Sequence, residues 1–405
     1  MRILTRLRPP ALKIPGLKIP GLRSTAPKVT AALGSTVLAA AAAIALAGPA
    51  GAATAHSQPF GGADRVLFVQ TDNTAGNRVV AYHRAGNGTL TLAGSYGTGG
   101  QGGVLTGSVV DHLASQGSLS YDQRHGLLYA VNAGSNTVSV FSAEGDRLFL
   151  RQVISSGGTF PVSVAVRGDL VYVLNATGGG SVQGYWVVSG RLLPIPGSNR
   201  PLGLDPTATP QFTNTPGQVA FSPGGSQLIV TTKANGNDID VFGVHSDGRL
   251  SASPVVNPEP GTVPFAITFD QAGHLVIANA GTNALATFRL SASGTVTLLD
   301  AVATGQAATC WVAPDGNALF ASNAGSGTIS AYQSSFSGQL TLEGQHATDP
   351  GTVDATASPD GRFLYVQTGG TGTVDEFSVA AGGSLTSIGS VTVAGAAGGE
   401  GIAAA

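Results

Sequence analysis

The chain has 405 residues, of which 10% are charged and 6% aromatic, and it carries 59 glycines, 22 prolines and a formal net charge of −2. This charge balance provides no basic surface for phosphates, which excludes nucleic acid as an expected partner. The single cysteine, Cys310, excludes an intrachain disulfide, and its apolar neighbours are typical of a buried strand.

The N-terminal segment, residues 1–55, is predicted to be a signal peptide. Seven basic residues precede an alanine-rich apolar run at 31–47, and small residues of the A-x-A type follow at 50–52 and 53–55. This order is typical of a secretory leader. An uncleaved anchor is the alternative, although the run is short for a span of about 20 apolar residues. We expect a secreted or envelope protein, free of the membrane after cleavage, with residues 56–64 as a linker.

A repeated unit then fills the chain from residue 65 to the C-terminus. Each copy has an apolar strand ending in Asn or Thr, a polar turn, a second strand and a Gly-x-Leu-type turn. The seven strand-end residues are spaced 43 to 61 residues apart and are Thr71, Asn132, Asn175, Thr232, Asn279, Asn323 and Thr368. Four short strands per unit at such a period are typical of propeller blades. We predict an all-β, seven-bladed β-propeller over residues 65–405.

The two ends of the repeat predict how the ring closes. The first copy begins at residues 66–69 with the second strand of the unit and lacks an inner strand before it. The last residues, 400–404, resemble the inner strand at 217–221. We therefore expect the C-terminal segment to supply the inner strand of blade one.

Two insertions lengthen the links between blades, at roughly residues 97–117 and 194–215. In a four-stranded meander these links share a face with the turns that follow the strand-end residues. Binding and catalytic groups concentrate on long loops of rigid scaffolds. The face that carries the insertions is therefore the predicted functional face.

Two segments carry a family resemblance: Leu-Tyr-Ala-Val-Asn-Ala-Gly-Ser-Asn-Thr-Val-Ser-Val-Phe at 128–141 and Ser-Pro-Asp-Gly-Arg-Phe-Leu-Tyr-Val at 358–366. They resemble the lactonase-type seven-bladed propellers, which include 6-phosphogluconolactonase-like and carboxymuconate cyclase-like proteins. The resemblance implies a lactonase or lactonising cycloisomerase, and we expect no cofactor. The acid/base residues of the family are not matched, because Gly217 stands where a His is expected. Ala133 and Ala176 likewise stand where a Glu is expected.

Lactone hydrolysis requires a base that activates water and a donor for the carbonyl oxyanion. Three residues are the catalytic candidates. Glu400 lies at the channel end of the C-terminal inner strand, and His112 follows Asp111 in the first insertion. Arg200, in the second insertion, is a candidate clamp for a carboxylate or phosphate. The simpler interpretations are a solvated tail residue, loop polarity and a structural salt bridge.

Four further residues are candidates for substrate binding. Asp354 begins the inner strand that we assign to blade six, where its side chain is expected to face the channel. Lys233 and Asp238 flank the strand-end turn of blade four, and Asp205 lies in the proline-rich second insertion. Ordinary turn chemistry is the alternative for this set. The seven histidines lack ligand spacing, so no metal site is expected.

Two functions remain open. The first is a secreted lactonase-like enzyme that opens or forms a lactone ring, acting on a lactone or sugar-derived ligand in the central cavity. The second is a non-catalytic module that binds a small molecule, glycan or protein on the insertion face, and an envelope scaffold is a weaker third. An enzyme should gather Glu400, Asp354, Arg200 and His112 around one channel mouth, whereas a binding module should show an apolar or aromatic patch there.

Overall fold

A computed structural model describes residues 65–405; the predicted signal peptide and linker lie outside the described residues. The described chain is almost entirely β-structure. In chain order, blades one to four use strands β1 (Val66–Gln70), β2 (Arg78–Arg84), β3 (Leu90–Gly97), β4 (Leu119–Asp122), β5 (Leu127–Asn132), β6 (Thr137–Glu144), β7 (Arg147–Ser155), β8 (Pro161–Arg167), β9 (Leu170–Asn175), β10 (Ser181–Val188), β11 (Arg191–Pro194), β12 (Arg200–Pro201), β13 (Val219–Phe221), β14 (Gln227–Thr231), β15 (Asp238–Gly243) and β16 (Val255–Pro258). The remaining strands are β17 (Pro264–Phe269), β18 (Leu275–Asn279), β19 (Ala284–Leu290), β20 (Val296–Ala303), β21 (Thr309–Asp315), β22 (Ala318–Asn323), β23 (Thr328–Ser334), β24 (Leu340–Ala347), β25 (Thr352–Ala357), β26 (Phe363–Thr368), β27 (Thr373–Val379), β28 (Leu385–Thr392) and β29 (Ile402–Ala404).

The helices are single turns: a 3₁₀ turn at Ala133–Ser135, α1 at Gln211–Asn214 and α2 at Lys233–Gly236. None of the helices in residues 65–405 has the length and hydrophobicity needed to cross a bilayer.

The strands form seven antiparallel sheets that close into a ring, as the repeat predicts. Six sheets run through consecutive strands, from β4–β7 to β25–β28, and the short β12 adds to β10 in blade three. The inner strands contact one another in the order β29, β4, β8, β13, β17, β21, β25 and back to β29. The fold is therefore a seven-bladed propeller around a central channel.

The burial pattern explains why short strands suffice. Second strands such as β5 and β26 are buried at every position, because blades pack against both of their faces. Outer strands such as β3 and β24 begin buried and then expose most of their residues. Apolar side chains between the blades form the core, and the inner strands line the channel.

Strand β29 closes the ring in the predicted way. It pairs antiparallel with β1, with Leu67 opposite Ala404 and Val69 opposite Ile402. The sheet order of blade one is β29, β1, β2, β3. The C-terminal segment therefore supplies the missing inner strand of this blade.

The same closure corrects the blade assigned to Asp354. Its strand, β25, pairs with β26 and belongs to blade seven, whereas blade six is complete with β21 to β24. Because blade one takes its inner strand from the C-terminus, every other inner strand belongs to the sheet that follows it in the chain. Assignment to blade six was therefore wrong by one blade.

Candidate functional site

The first insertion enters the channel instead of lying above it. Residues 108–116, which we call the plug, include Leu113 and Ser115, both fully buried. The Ser115 hydroxyl donates to the Val162 carbonyl of blade three at 2.9 Å. The Trp311 indole Nε1 of blade six donates to the Ser115 carbonyl at 2.6 Å. The plug thus spans the channel and divides it.

The end of the plug substitutes for a strand beside blade six. The side-chain amide of Gln116 donates from Nε2 to the Val312 carbonyl at 2.9 Å, and its Oε1 accepts from the Val312 N–H at 3.1 Å. An inner strand has no further strand on its channel side, so its backbone groups need such partners when they are buried. This pairing fixes the plug against β21.

Asp111 shapes the plug from within. Its two carboxylate oxygens accept hydrogen bonds from the N–H groups of Leu113 and Ser115 at 2.8 and 2.9 Å. These bonds close a tight loop in which Ala114 has a φ of 48°. Burial raises the pKa of Asp111 to about 6, while the hydrogen bonds and Lys233 oppose this shift.

Lys233, a predicted binding residue, joins the two insertions to blade four. It is buried and has a φ of 50° at the beginning of the turn that follows Thr232. Its Nζ donates three hydrogen bonds, to Ala114 O at 2.6 Å, Phe212 O at 2.6 Å and Thr215 Oγ1 at 3.1 Å. Burial lowers the pKa of Lys233 to about 7. With all three ammonium donors in use, the side chain anchors the insertions.

Asp354 and Glu400, predicted independently as binding and catalytic residues, form a carboxyl pair. Both are buried, and each is close enough to shift the pKa of the other. The Glu400 Oε1 accepts from the N–H groups of Gly117 and Ser118 at 2.8 and 3.3 Å, whereas the buried Oε2 has no hydrogen-bond donor among the described residues. Burial raises the pKa of Asp354 to about 7 and that of Glu400 well above its ordinary value. Burial and the repulsion between two adjacent carboxylates therefore favour a protonated form of the pair.

A β-bulge accounts for the position of Asp354. The pairing of β25 with β26 shifts register between Thr352 and Ala355, so Asp354 lies in the irregular stretch. Bulges re-aim the side chains of a strand. The Ala355 N–H donates to Asp354 Oδ1 at 2.9 Å and fixes the carboxyl group.

Asp72 was not predicted as a site residue, and it holds the backbone of Glu400 in place. Asp72 is fully buried with a φ of 50°, and its Oδ2 accepts from the Glu400 N–H at 2.9 Å. Burial raises its pKa to about 7. With Asp111, Asp354 and Glu400 it makes a set of four buried acids, the carboxyl cluster, in which the Asp111 charge raises the pKa of each of the other three. In the sequence Asp72 resembles an ordinary turn residue.

His112 lies beside the C-terminal segment, although its ring does not join the carboxyl pair by any hydrogen bond. Its N–H donates to the Gly398 carbonyl at 2.8 Å, and its ring packs so closely on Gly398 that a Cβ there would lie 2.1 Å from Nε2. Burial lowers the pKa of His112. The half-buried neutral imidazole therefore packs against the chain that carries Glu400.

The other predicted residues have local hydrogen-bond partners. The Arg200 guanidinium donates to the carbonyls of Leu250 and Ser251 at 2.7 and 2.8 Å and joins blades three and four. Asp205 is exposed and accepts from Thr207 at 2.8 Å, which lowers its pKa. Asp238 begins β15 and has a pKa raised by partial burial. The structure does not bring these three residues into contact with the carboxyl pair.

A polar cavity of about 330 Å³ occupies the channel below the plug. Asp354 lines it together with Gln116, Gln218, Thr268, Pro314 and Ile402. Because Pro314 begins a Pro-x-Gly turn, this cavity opens on the face opposite the insertions. Asp354 is the only acid among the residues described on the wall of this cavity. It is reached from the face opposite the insertions, because the plug fills the insertion side of the channel. The predicted functional face was the insertion face.

An apolar cavity of about 160 Å³ lies on the insertion side of the plug. Its walls come from the plug, the second insertion and blades four to six, and include Val110, Phe212, Lys233, Val263, Phe265 and Trp311. The Phe265 and Trp311 rings meet edge to face, with centroids 5.1 Å apart. The two rings give this cavity an aromatic wall.

No protein-family model and no curated protein matches the chain. Solved structures do match it. A candidate 6-phosphogluconolactonase from Bacteroides uniformis is 18% identical, with a TM-score of 0.68 and coverage of 85% of this chain and 100% of the other. A second from Bacteroides fragilis is 19% identical, with a TM-score of 0.64 and coverage of 84% and 98%.

The periplasmic gluconolactonase of Pseudomonas aeruginosa is 17% identical, with a TM-score of 0.65 and coverage of 84% of this chain and 98% of the other. At these identities the likeness establishes architecture and leaves the chemistry to the residues. The chain has the seven-bladed propeller fold of the 6-phosphogluconolactonase-like proteins, in agreement with the resemblance in its strand sequences.

Proposed function

We propose that the protein is an exported lactonase-like hydrolase that opens a small, neutral lactone in the polar cavity. The observation that carries this proposal is the Asp354–Glu400 pair, with Asp354 on the cavity wall. A carboxyl group whose pKa is near 7 is half ionised at neutral pH and is suited to act as both base and acid.

In the proposed reaction, the Asp354 carboxylate removes a proton from a water molecule as its oxygen attacks the lactone carbonyl carbon. The bond between that carbon and the ring oxygen then breaks, and the proton passes from Asp354 to the ring oxygen. The product is the open hydroxy acid. Glu400 is buried, is not among the residues that line the cavity, and acts as a positioning residue, because its proximity tunes the pKa of Asp354.

Gln218 is the proposed donor for the oxyanion. Its Oε1 accepts a hydrogen bond from the Ile267 N–H, so the Nε2 end of the amide remains to donate. This nitrogen lies on the side of Gly117 in the cavity wall, 3.9 Å from where a Cβ on that glycine would be. Donors aimed at the developing negative charge make a large contribution to catalysis of acyl transfer.

The cavity wall favours a neutral substrate. None of the residues described as lining the polar cavity is Lys or Arg, so nothing there would bind a phosphate or carboxylate group. An ionised Asp354 would repel such a group. The predicted signal peptide, and the periplasmic location named for the Pseudomonas relative, support export.

The test is a pH-stat assay of the purified protein on three lactones: an unmodified aldonolactone, its 6-phosphorylated form and a muconolactone. We expect acid release above the spontaneous rate for the unmodified lactone alone, rising with pH through about 7 as Asp354 ionises. Asp354→Asn should lower the rate about 100-fold or more, as expected when a general base is lost. The control, Asp247→Asn, changes an exposed carboxylate and should leave the rate unchanged. The proposal fails if no lactone is hydrolysed faster than in buffer, or if Asp354→Asn retains full activity.

Binding without catalysis is the second candidate function, and a different observation favours it. The insertion face has an apolar cavity with aromatic walls, as expected of a binding propeller. Absence of hydrolysis together with ligand binding at the insertion face would favour this function over the first.

A further inference from the structure

Two residues in the wall of the apolar cavity have backbone conformations that are unfavourable for residues other than glycine. Val263 and Ala308 line it with φ values of 52° and 56°. Positive φ is uncommon for alanine and an outlier for a β-branched residue such as valine. Phe160 and Gly351 also have a positive φ directly before the inner strands of other blades, so this turn belongs to the repeat and here directs two apolar side chains toward the cavity.

Small side chains keep the cavity open. Ala280 and Ala324 line it, and each follows the strand-end asparagine of its blade, Asn279 or Asn323. Larger residues at these two turns would extend into the space between the plug and blades five and six. The repeat thus places two alanines where they shape one wall.

The polar groups around the cavity already have partners within the protein. The Trp311 Nε1 donates to the plug, and the three donors of the Lys233 ammonium are used on the insertions. Both oxygens of Asp111 accept backbone N–H groups. A ligand would therefore meet carbon and aromatic surface, and a charged ligand would lose its hydration without compensation.

The volume sets the size of the ligand. An apolar cavity of about 150 Å³ in another protein stays dry and binds benzene, and this cavity has about 160 Å³. The rings of Phe265 and Trp311, inclined at 62° to each other, give the wall aromatic surface for an aromatic guest. We propose that the apolar cavity is a binding site for an uncharged aromatic molecule of about one six-membered ring.

The site is separated from the polar cavity by the plug, so the inference does not depend on lactone hydrolysis. Fluorobenzene is a suitable probe, because ¹⁹F NMR reports its binding directly. We expect saturable binding to the full chain, with no binding of benzoate or benzylammonium. Asp354→Asn should bind fluorobenzene like the unmodified protein, which separates this result from the outcome of the lactonase assay.

Cavity-filling variants test the location. Ala324→Leu and Ala280→Leu should each weaken fluorobenzene binding at least tenfold while circular dichroism confirms the β-structure. Ala292→Leu adds the same side chain at an exposed turn and serves as the control. Two filled positions guard against one variant that fails to fold. Absence of fluorobenzene binding, or unchanged binding in both folded filling variants, would overturn the proposal.

Discussion

Trp311 donates a hydrogen bond of 2.6 Å from its indole nitrogen to the carbonyl of Ser115, 196 residues earlier in the chain. The bond joins the inner strand of blade six to the plug, which Ser115 in turn connects to Val162 of blade three. The plug is therefore fixed from two sides of the ring. This arrangement separates the polar cavity from the apolar cavity.

Replacing Trp311 should destabilise the protein. Trp311→Phe keeps an aromatic ring but removes the only donor described for the Ser115 carbonyl, which is fully buried. Leaving one buried acceptor unpaired costs about 1–3 kcal/mol, and the smaller ring adds a packing loss. Urea unfolding followed by far-UV circular dichroism measures the change. The half-buried Trp186 gives the matched control, Trp186→Phe, which should cost less; equal losses for both would contradict the role of the Trp311 hydrogen bond.

Lys233 should be a second anchor of the plug. Lys233→Met retains most of the apolar stem but leaves the carbonyls of Ala114 and Phe212 without this donor. It also leaves Asp111 without the nearby positive charge. Leaving a buried acceptor without its donor costs about 1–3 kcal/mol for each group.

The control for this variant is Arg249→Met, which breaks an exposed ion pair with Asp247 at 3.6 Å. Exposed pairs contribute about 0–1 kcal/mol. We expect Lys233→Met to lower the urea midpoint far more than the control and to increase proteolysis within residues 97–117. A loss no larger than that of Arg249→Met would show that Lys233 does not hold the insertions.

The fold was predictable because its information is local and repeated. Each blade repeats the same pattern of strands and turns. The first copy has no inner strand before Val66, and the strand at Ile402 pairs in its place. Ring closure follows from these two ends. Asp354 was assigned to the wrong blade because ring closure places each inner strand in the sheet formed by the strands that follow it in the chain.

The site was predictable only in part, because its contacts are long-range. Glu400 and Asp354 were identified from their places on inner strands, and they do meet. Asp72 was not identified, since its bond to the Glu400 N–H spans 328 residues and has no local signature. Nor does the polarity of the first insertion indicate that Ser115 and its neighbours lie buried inside the ring.

The carboxyl cluster makes stability depend on pH. Burial raises the pKa values of Asp72 and Asp354 to about 7 and that of Asp111 to about 6, from an ordinary value of 3.8. The folded state therefore binds more protons than the unfolded state between about pH 4 and 7, so the free energy of unfolding falls as pH rises through this window. Lys233, whose pKa is lowered, acts in the opposite direction only above about pH 7.

Thermal unfolding at pH 5, 6, 7 and 8 tests this dependence. We expect a lower Tm at pH 7 than at pH 5, and a weaker decrease for Asp354→Asn, which cannot ionise. Glu343→Gln alters an exposed acid and should retain the full decrease. A Tm that rises from pH 5 to pH 7 would contradict the buried, protonated state of the cluster.

Gly401 should contribute to stability at the point where the last strand enters the ring. Its φ of 115° is a conformation that side chains rarely adopt, and a Cβ there would lie 2.3 Å from the Ser118 Oγ. That hydroxyl donates to the Glu400 carbonyl at 2.8 Å, so the clash would disturb the join between the C-terminal strand and blade two. We expect Gly401→Ala to lower the free energy of unfolding by about 2–4 kcal/mol, from backbone strain and overpacking together.

Gly305→Ala is the matched control, since Gly305 has a φ of 67° with no atom within 4 Å of the added carbon, and it should lose only about 1–2 kcal/mol. Urea unfolding of the two variants compares the contact and unusual φ at Gly401 with an ordinary left-handed glycine, and equal losses would mean that the join at Ser118 adds nothing to closure of the ring.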